Sequence, residues 1–259
     1  MSGEGQRAVD ITLIPGIMRR RGWRNGARLM EIWFSRPANA VPERGVPETA
    51  TIRMDRWALT FRRASTVYQE IVSSRVWCNE TARNDLGSML RRQGRLTSQR
   101  TTFGDLSRPV PTLDRDFISQ HSVGGLTDPL DDMYAALGRF LFRTVVQGSV
   151  VPTPTPVPSM TVRARPRSTY FRHTVNIEQV GIYVWDSYDY NGLQPLGYWS
   201  ASDVSRIPLP GYELVTNGDY RQWRARHGRG GDFIVYSDVK ILRRNPPDTF
   251  LVPGPPAGI

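Results

Sequence analysis

The chain has 259 residues, a hydrophobic fraction of 39% and a formal net charge of +10. This length is enough to bury a full hydrophobic core, and the hydrophobic fraction excludes a disordered protein. Cys78 is the single cysteine, which excludes an internal disulfide and a cysteine-rich metal site.

The N-terminal segment, Met1 to Asp10, is polar and lacks the apolar stretch of a secretory signal. No apolar run in the sequence approaches the roughly 20 residues that a membrane-spanning helix needs. These features predict a protein without a transmembrane segment that is made in the cytoplasm. A signal-independent secretion system would have to deliver it to any other cell or compartment.

The first part of the chain, residues 1–151, is predicted to be mainly helical. Apolar residues at helical spacing predict an amphipathic helix from Pro15 to Phe34, and its aromatic face favours docking on a core over docking on a membrane or partner. Three further helices are predicted to begin at the N-cap candidates Asp55 and Asn79 and at the pair Asp128-Pro129. Short strands are predicted at Thr51–Met54 and Phe142–Val151.

A proline at every second position marks the segment from Pro152 to Pro158. Such a run does not enter a helix or a central strand, and it favours an extended spacer. We therefore predict a connection at residues 152–160 between the helical part and a β-rich part at 161–244. An extended tail is predicted at 245–259.

The β-rich part has alternating apolar residues typical of strands. Strands are predicted at Thr161–Arg165, Thr174–Asp186 and Phe233–Leu242, with a short helix at Gly218–Arg226. The predicted fold class is α+β, with a helical N-terminal part followed by a mainly antiparallel twisted sheet.

The strongest candidate site is the segment from Asp186 to Gly192, at the end of a predicted strand. Asp186 and Asp189 are candidates for an acid and a base, or for ligands of a divalent cation such as Mg²⁺ or Ca²⁺, on carboxyls open to solvent. Tyr188 is a candidate for orienting them. The alternative is a plain turn, since Asp and Asn bond to their own backbone and glycine supplies a positive φ. An EF-hand loop is excluded because its first and twelfth positions would not be carboxylates.

A second candidate is the basic loop after the predicted helix, with Arg226, His227 and Arg229. Arginine binds phosphate bidentately, so this loop is a candidate anion site. The alternative is a solvated connection between a helix and a strand.

The basic charge itself has two interpretations. It favours an anionic partner such as phospholipid, nucleic acid or an acidic protein. However, Lys240 is the only lysine among the 34 basic residues, and such an arginine bias is typical of a GC-rich genome. No motif for reading nucleic acid is present, so nucleic acid is not a favoured partner.

Several segments resemble a bacterial family of unknown function, domain-of-unknown-function family 6402. The resemblance rests on Ile14-Pro15-Gly16, on the run from Asp131 to Phe140, on Asp186 to Trp199 and on Gly230 to Val239. It covers nearly the whole chain. The family is similar to components encoded beside type VI secretion genes, which implies a secretion-apparatus, toxin or immunity protein as partner.

The last third of the chain resembles the toxin domain of colicin M-type bacteriocins. Asp186, Tyr188, Asp189 and Asn191 match that family's Asp-x-Tyr-Asp-x-Asn motif. The resemblance implies a metal-dependent phosphodiesterase that acts on a lipid-linked peptidoglycan precursor. The His-Arg pair expected next is replaced by Pro195 and Leu196, a departure that puts the catalytic acid-base in doubt.

The two resemblances lead to one hypothesis of an antibacterial type VI effector that cleaves a phosphodiester of an envelope lipid. Asp186 and Asp189 would hold a divalent cation, and no other cofactor is expected. His227 would replace the missing acid-base, and Arg226 or Arg229 would bind the phosphate. The alternative hypothesis is a non-catalytic secretion accessory, an adaptor, chaperone or immunity protein that binds another protein.

Overall fold

The computed structural model describes residues 9–125, 127–155 and 170–253. These residues form two compact units, each assembled from separate stretches of the chain. The first unit contains the described residues of Met1–Ala64, Ser122–Leu141 and Val184–Ser237. The second contains those of Ser65–His121, Phe142–Tyr183 and Asp238–Ile259. Among the described helices, none is both long and apolar enough to cross a membrane.

The helices are α1 Ile14–Arg20, α2 Arg24–Ser35, α3 Arg62–Ser73, α4 Glu80–Arg92, α5 Val110–Leu113, α6 Asp132–Leu137 and α7 Asn217–His227. The strands are β1 Glu48–Ile52, β2 Thr101–Phe103, β3 Ser119–Val123, β4 Phe140–Thr155, β5 Tyr170–Tyr188, β6 Pro195–Trp199, β7 Val204–Ser205, β8 Glu213–Thr216, β9 Phe233–Ser237 and β10 Lys240–Pro253. Helices concentrate in the N-terminal half and strands in the C-terminal half, which confirms the predicted α+β class.

The predicted helix from Pro15 to Phe34 is two helices, α1 and α2. Gly22 between them has a φ of +80°, a left-handed conformation that ends a helix and that glycine adopts without steric cost. The apolar face is nevertheless buried, as predicted for a core-facing helix: Trp23, Ala27 and Met30 are all less than a tenth exposed.

The predicted N-cap at Asn79 is confirmed, because its side chain accepts a hydrogen bond of 2.8 Å from the Ala82 amide at the start of α4. The helix predicted from Asp128 begins later, at Asp132, and its N-cap is Asp131. Asp128 instead accepts a bond of 2.8 Å from the Gly125 amide, so its carboxylate stabilises the preceding turn. The helix predicted from Asp55 also begins later, at Arg62, after a short 3-10 turn at Ala58–Thr60.

In the first unit, β9 lies between β1 and β5 and pairs parallel with β1 and antiparallel with the end of β5. A separate antiparallel sheet has the order β7-β6-β8. Every residue of β9 is buried. Pairing with β9 therefore fixes the C-terminal end of β5 in the core. Asp186, the candidate acid, lies in this end of β5.

In the second unit, β10 pairs antiparallel with β5, and β2 pairs antiparallel with β4. The strand predicted at Phe233–Leu242 is interrupted, since β9 ends at Ser237 and β10 begins at Lys240. β10 then continues to Pro253, through most of what was predicted as an extended tail.

The predicted proline spacer falls partly in a strand, because Pro152 to Thr155 belong to β4. Proline has no backbone N–H to donate to a neighbouring strand. Pro152 lies beyond Val150, the last residue of β4 that pairs with β2, so the pairing with β2 loses no hydrogen bond there. Residues 156–160 and the predicted strand Thr161–Arg165 lie outside the described residues. The spacer as a domain boundary stays a prediction.

Candidate functional site

The segment from Asp186 to Gly192 comprises the end of β5 and the loop after it. β9 pairs with β5 so that Asp186 lies opposite Val235 and Tyr188 opposite Phe233. Alternate side chains of a strand point to opposite faces. Asp186 and Tyr188 share the buried face, and Asp186 is only 9% exposed. The sequence had predicted a carboxyl open to solvent, and for Asp186 that prediction is wrong because the end of β5 lies in the core.

A cavity of about 570 Å³ lies beside this segment in the first unit. Its wall is largely apolar and aromatic, with Met18, Trp23, Met30, Trp199 and Tyr220 among the lining residues. Asp186 and Asn217 contribute buried polar side chains to the same wall. This size and lining, with a few polar groups in an apolar wall, are typical of small-molecule sites.

Asp186 is a titratable group of the wall that is removed from water. Burial raises its pKa well above the usual range, the negative charge of Asp189 raises it further, and the Ser187 amide acts in the opposite direction. A buried acid with this environment keeps its proton at pH values where an exposed aspartate is ionised. This environment favours the protonated form of the Asp186 carboxyl, which is the form that donates a hydrogen bond.

Asp189 forms the turn that the sequence offered as an alternative interpretation. Its Oδ2 accepts a bond of 2.6 Å from the Ser187 hydroxyl, and its Oδ1 accepts one of 3.0 Å from the Asn191 amide. Gly192 follows with a φ of +73°. The predicted turn is thus present, and the negative charge of Asp189 also raises the pKa of Asp186. The acid and base roles of the two residues stay a prediction.

The colicin M resemblance implies a divalent cation at Asp186 and Asp189. Within the described residues, no group of three or more His, Cys, Asp or Glu side chains is placed to hold a metal ion. Both oxygens of Asp189 already accept hydrogen bonds, and Ca²⁺ takes six to eight oxygen ligands. Asp186 and Asp189 alone supply fewer oxygens than that, and the cation stays a prediction.

Three buried tyrosines extend the wall from Asp186. The hydroxyls of Tyr188 and Tyr190 share a hydrogen bond of 3.2 Å, and the rings of Tyr190 and Tyr220 stack with centroids 3.9 Å apart. Tyr220 donates to the sulfur of Met30 at 3.3 Å. Burial raises the pKa of all three phenols, so they are neutral donors and acceptors. The hydroxyl of Tyr188 bonds to Tyr190, and no bond from it to either predicted carboxyl is present in the described part of the chain.

Asn217 is a wall residue that the sequence did not single out. It is 2% exposed, and its Nδ2 donates a bond of 2.7 Å to the carbonyl of Asn191, which fixes the loop after β5. Its Oδ1 has no hydrogen-bond partner within the part of the chain described. A buried acceptor without a partner is costly, which makes this oxygen a candidate contact for a donor group.

The start of α7 positions Asn217 through a capping box. Thr216 Oγ1 accepts from the Gly218 amide, and Asp219 accepts from both the amide and the hydroxyl of Thr216. The signal was readable in the sequence, because a threonine followed three residues later by an acid is a helix-start pattern.

Replacing Thr216 by alanine is expected to lower the free energy of unfolding by about 1 kcal/mol, the usual cost of losing an N-cap side chain. Urea unfolding followed by circular dichroism measures it. Thr216→Ser keeps the hydroxyl and is expected to match the wild type. Equal stability of the alanine and serine variants would mean that the capping box does not hold α7.

Three arginines lie in the cavity wall or beside its residues. They are not Arg226 and Arg229, the arginines that the sequence indicated. Arg139 lines the cavity itself. Arg206 lies 5.0 Å from the ring centre of Tyr134 and Arg21 lies 4.7 Å from that of Trp23, and both rings belong to the wall. Arg21 also pairs with Asp203. The cavity therefore has a largely apolar wall that includes Arg139, and two further arginines lie beside it.

The predicted basic loop does not contribute to this wall. Neither His227, Arg226 nor Arg229 is among the residues of the described chain that line the cavity. His227 stacks on Trp223 with ring centres 4.4 Å apart, and Arg229 donates to the carbonyl of Ser35 at 2.8 Å. Arg226 is exposed. No contact between these three residues and Asp186 is seen among the described residues, and their catalytic role stays a prediction.

The arginine of α7 that is buried is Arg224. Its guanidinium pairs with Asp232, which is fully buried and also accepts a bond of 2.7 Å from the Trp33 indole. The Trp33 ring packs edge-on against Tyr190 with centroids 4.8 Å apart. Arg224 of α7 thus connects to the cavity wall through Asp232, which bonds to Trp33, and through Trp33, which packs against Tyr190.

Comparison with known proteins identifies the family but no activity. No curated protein and no solved structure matches the chain. The model of one family, described as a family of unknown function, matches residues 9–211 and 207–252. These two matches cover most of the sequence and confirm the resemblance read from its motifs, so the chain belongs to the family DUF6402.

Proposed function

We propose that the protein is a type VI secretion-linked antibacterial effector that hydrolyses a phosphodiester of an amphipathic, anionic substrate bound in the cavity. The observation that carries the proposal is the burial of the Asp186 carboxyl, which raises its pKa, in a cavity wall that is largely apolar and aromatic. Perturbed acids in a concave site are characteristic of catalytic groups.

The shape and charge of the cavity support this substrate class. An apolar body would pack against Met18, Trp23 and Met30, whose side chains line the wall. An anionic group would lie near Arg139 and Arg206, since guanidinium groups bind phosphate oxygens bidentately. A lipid-linked phosphodiester of the bacterial envelope has both parts.

The acid pair provides a balanced route for hydrolysis. The oxygen of a water molecule attacks phosphorus, and the bond from phosphorus to the leaving oxygen breaks. Asp186 gives its proton to the leaving oxygen, and Asp189 accepts the proton that the water loses. Proton transfer between the two carboxyls restores the starting state. Arg139 and Arg206 stabilise the charge on the phosphate oxygens in the transition state.

The proposed cellular role follows from the substrate. A toxin that acts on an envelope precursor has to be carried from the cytoplasm in which it is made into a target cell, and a type VI apparatus moves proteins without a cleaved signal. A cognate immunity protein is then expected in the producing cell.

The test combines hydrolysis and growth. The full chain is incubated with bis(p-nitrophenyl) phosphate and with a lipid-linked peptidoglycan precursor, and it is expressed in the cytoplasm or periplasm of a sensitive bacterium. Asp186→Asn keeps the shape but cannot act as an acid, and hydrolysis is expected to fall about a hundredfold or more. Growth inhibition should fall with it. Asp85→Asn, an exposed aspartate of α4, is the matched control and should change neither.

Two further arms separate the alternatives. A chelator in the assay reports whether a divalent cation is needed, which the resemblance implies and the acid-pair mechanism does not. If neither substrate is cleaved and Asp186→Asn inhibits growth as strongly as the wild type, the enzyme proposal fails. A non-catalytic adaptor, chaperone or immunity role is then the explanation to pursue.

A further inference from the structure

The dipeptide Asn-Gly occurs three times in the sequence, at Asn25-Gly26, Asn191-Gly192 and Asn217-Gly218. This dipeptide can react with itself: the backbone nitrogen of the glycine attacks the side-chain carbonyl carbon of the asparagine, and glycine has no Cβ to hinder the approach. The reaction needs a glycine N–H that is free of hydrogen bonds and a backbone that can rotate. The three dipeptides are chemically identical, so their surroundings decide which of them reacts.

Asn25-Gly26 is held in the first turn of α2. The Gly26 amide donates a hydrogen bond of 2.9 Å to Oδ1 of Asp132, and the Asn25 amide donates one of 3.2 Å to Oδ2 of the same carboxylate. Gly26 is buried so closely that a Cβ there would lie 2.7 Å from the Cβ of Ala135. The attacking nitrogen is therefore occupied, and the backbone cannot rotate without breaking the start of the helix.

Asn217-Gly218 is held in the first turn of α7. The Gly218 amide donates a hydrogen bond of 3.1 Å to Oγ1 of Thr216. Asn217 is 2% exposed, and its Nδ2 donates to the carbonyl of Asn191 at 2.7 Å. The side-chain amide that would have to turn towards Gly218 is thus fixed by another bond, so both reacting groups are protected.

Asn191-Gly192 lies in the loop after β5, in a run of exposed residues from Asn191 to Pro195. Gly192 has a φ of +73°, and a Cβ on it would have open space around it. Within the described residues, neither the Gly192 amide nor the Asn191 side chain has a hydrogen-bond partner. Asn217 and Arg221 bind the carbonyls of this dipeptide and leave the attacking nitrogen free.

We propose that Asn191 is a site of spontaneous deamidation, which converts this residue of the candidate site to aspartate and isoaspartate. The Gly192 nitrogen loses its proton and forms a bond to Cγ of Asn191, while the bond from Cγ to Nδ2 breaks and ammonia leaves. Water then opens the succinimide ring at either of its two carbonyls. One opening gives aspartate, and the other gives isoaspartate, in which the backbone runs through the side chain. One water is consumed for each ammonia released, and no other reactant is needed.

The reaction changes the charge and the backbone of the loop. It adds a carboxylate two residues after Asp189, and the isoaspartate form lengthens the backbone by a methylene at Asn191. The Asn191 carbonyl that accepts the bond from Asn217 then moves, and Gln194 and Pro195 of the same loop line the cavity. The deamidation is independent of the proposed hydrolase activity. Weaker binding of an anionic substrate after deamidation rests on the proposed function.

The test incubates the folded full chain in heavy-oxygen water, followed by trypsin digestion in ordinary water and mass spectrometry. Arginines separate the three dipeptides into three different peptides. Deamidation during the incubation adds about 3 Da and deamidation during the digestion about 1 Da, so the label reports on the folded protein alone. The labelled fraction of the Asn191 peptide is expected to exceed that of the other two about tenfold or more, because those two sites react only after their helix ends open.

Two controls and the products complete the test. In guanidinium chloride the protection is lost, so all three peptides should gain label at comparable rates. Asn191→Gln should remove the gain from its peptide, because glutamine would have to form a larger ring. The Asn191 product should appear as two species of equal mass that chromatography separates. No label at Asn191, equal labelling of the three peptides in the folded protein, or a single product would overturn the proposal.

Discussion

Replacing Asp232 by alanine is expected to destabilise the protein by about 3–5 kcal/mol, the usual cost of breaking a buried ion pair on one side. The Arg224 guanidinium would lose its partner while only 9% of the residue is exposed, and the Trp33 indole N–H would lose its acceptor. The Trp33 indole is fully buried within an aromatic cluster, so its N–H cannot reach water unless those rings move. The rings of the cluster that contact Trp33 are those of Phe34, Tyr190, Tyr220 and Trp223. Urea unfolding followed by tryptophan fluorescence measures the loss.

The matched control is the ion pair between Arg19 and Glu31, whose side chains are 55% and 29% exposed. Exposed pairs contribute about 0–1 kcal/mol, so Glu31→Ala should change the free energy of unfolding by no more than that. If Asp232→Ala and Glu31→Ala have similar effects, Asp232 does not hold the cluster together.

The Asp232→Ala substitution is also expected to disturb the packing of the cavity wall. Trp33 packs against Tyr190 and Tyr220 with centroid distances of 4.8 and 5.5 Å, and both tyrosines line the wall. Gly230 approaches the same indole so closely that a Cβ there would lie 2.4 Å from it. Packing this dense leaves the wall little freedom to adjust. Asp232 therefore positions the site without contacting a ligand.

Local signals in the sequence predicted the elements that depend on local physics. The N-cap of Asn79 and the apolar stripe of α4 depend on residues within one or two turns, and both are present. The alternation of Val180, Ile182 and Val184 in β5 was readable for the same reason, since strand periodicity appears within a few residues. The α+β class followed from these elements.

The three short strands that were missed depend on partners elsewhere in the chain. β6, β7 and β8 are two to five residues long and pair with one another, with Tyr198 opposite both Ser205 and Leu214. Strands this short have too few residues for a period to be visible. The break at Gly22 and the late start of α6 at Asp132 were also missed, because turn and cap contacts decided them rather than the apolar pattern.

For the site, the sequence predicted the residue types but not their surroundings. Asp186 and Asp189 were identified, and the charge of Asp189 contributes to the raised pKa of Asp186, but the burial of Asp186 depends on where β9 and the cavity wall lie. Asn217 comes from a part of the chain 26 residues beyond Asn191, and only the fold brings the two together. His227 was expected to act together with Asp186 and Asp189, but it stacks on Trp223 and is not among the described residues that line the cavity.

The wild type is expected to lose stability relative to Asp186→Asn as the pH rises. Burial and the charge of Asp189 raise the folded-state pKa of Asp186 above its unfolded value. The unfolded chain therefore releases this proton first, and the folded chain holds more protons between the two pKa values. Under proton linkage, the free energy of unfolding falls with rising pH across that interval and then levels off. Each unit by which the pKa is raised corresponds to about 1.4 kcal/mol.

Urea unfolding of both proteins from acid to alkaline pH measures the difference. Asparagine has no proton to release, so subtracting the two curves removes the contributions of Asp232 and of the other groups that do not interact with Asp186. The interaction between Asp186 and Asp189 remains in the difference. The difference in free energy of unfolding between the two proteins should be constant at low pH. Above the unfolded-state pKa of aspartate, the wild type should become progressively less stable relative to Asp186→Asn. Above the folded-state pKa of Asp186, the difference should be constant again. Asp85→Asn should run parallel to the wild type throughout. Parallel curves for Asp186→Asn as well would mean that Asp186 is ionised in the folded protein at neutral pH, and an acid that has already lost its proton cannot protonate a leaving group.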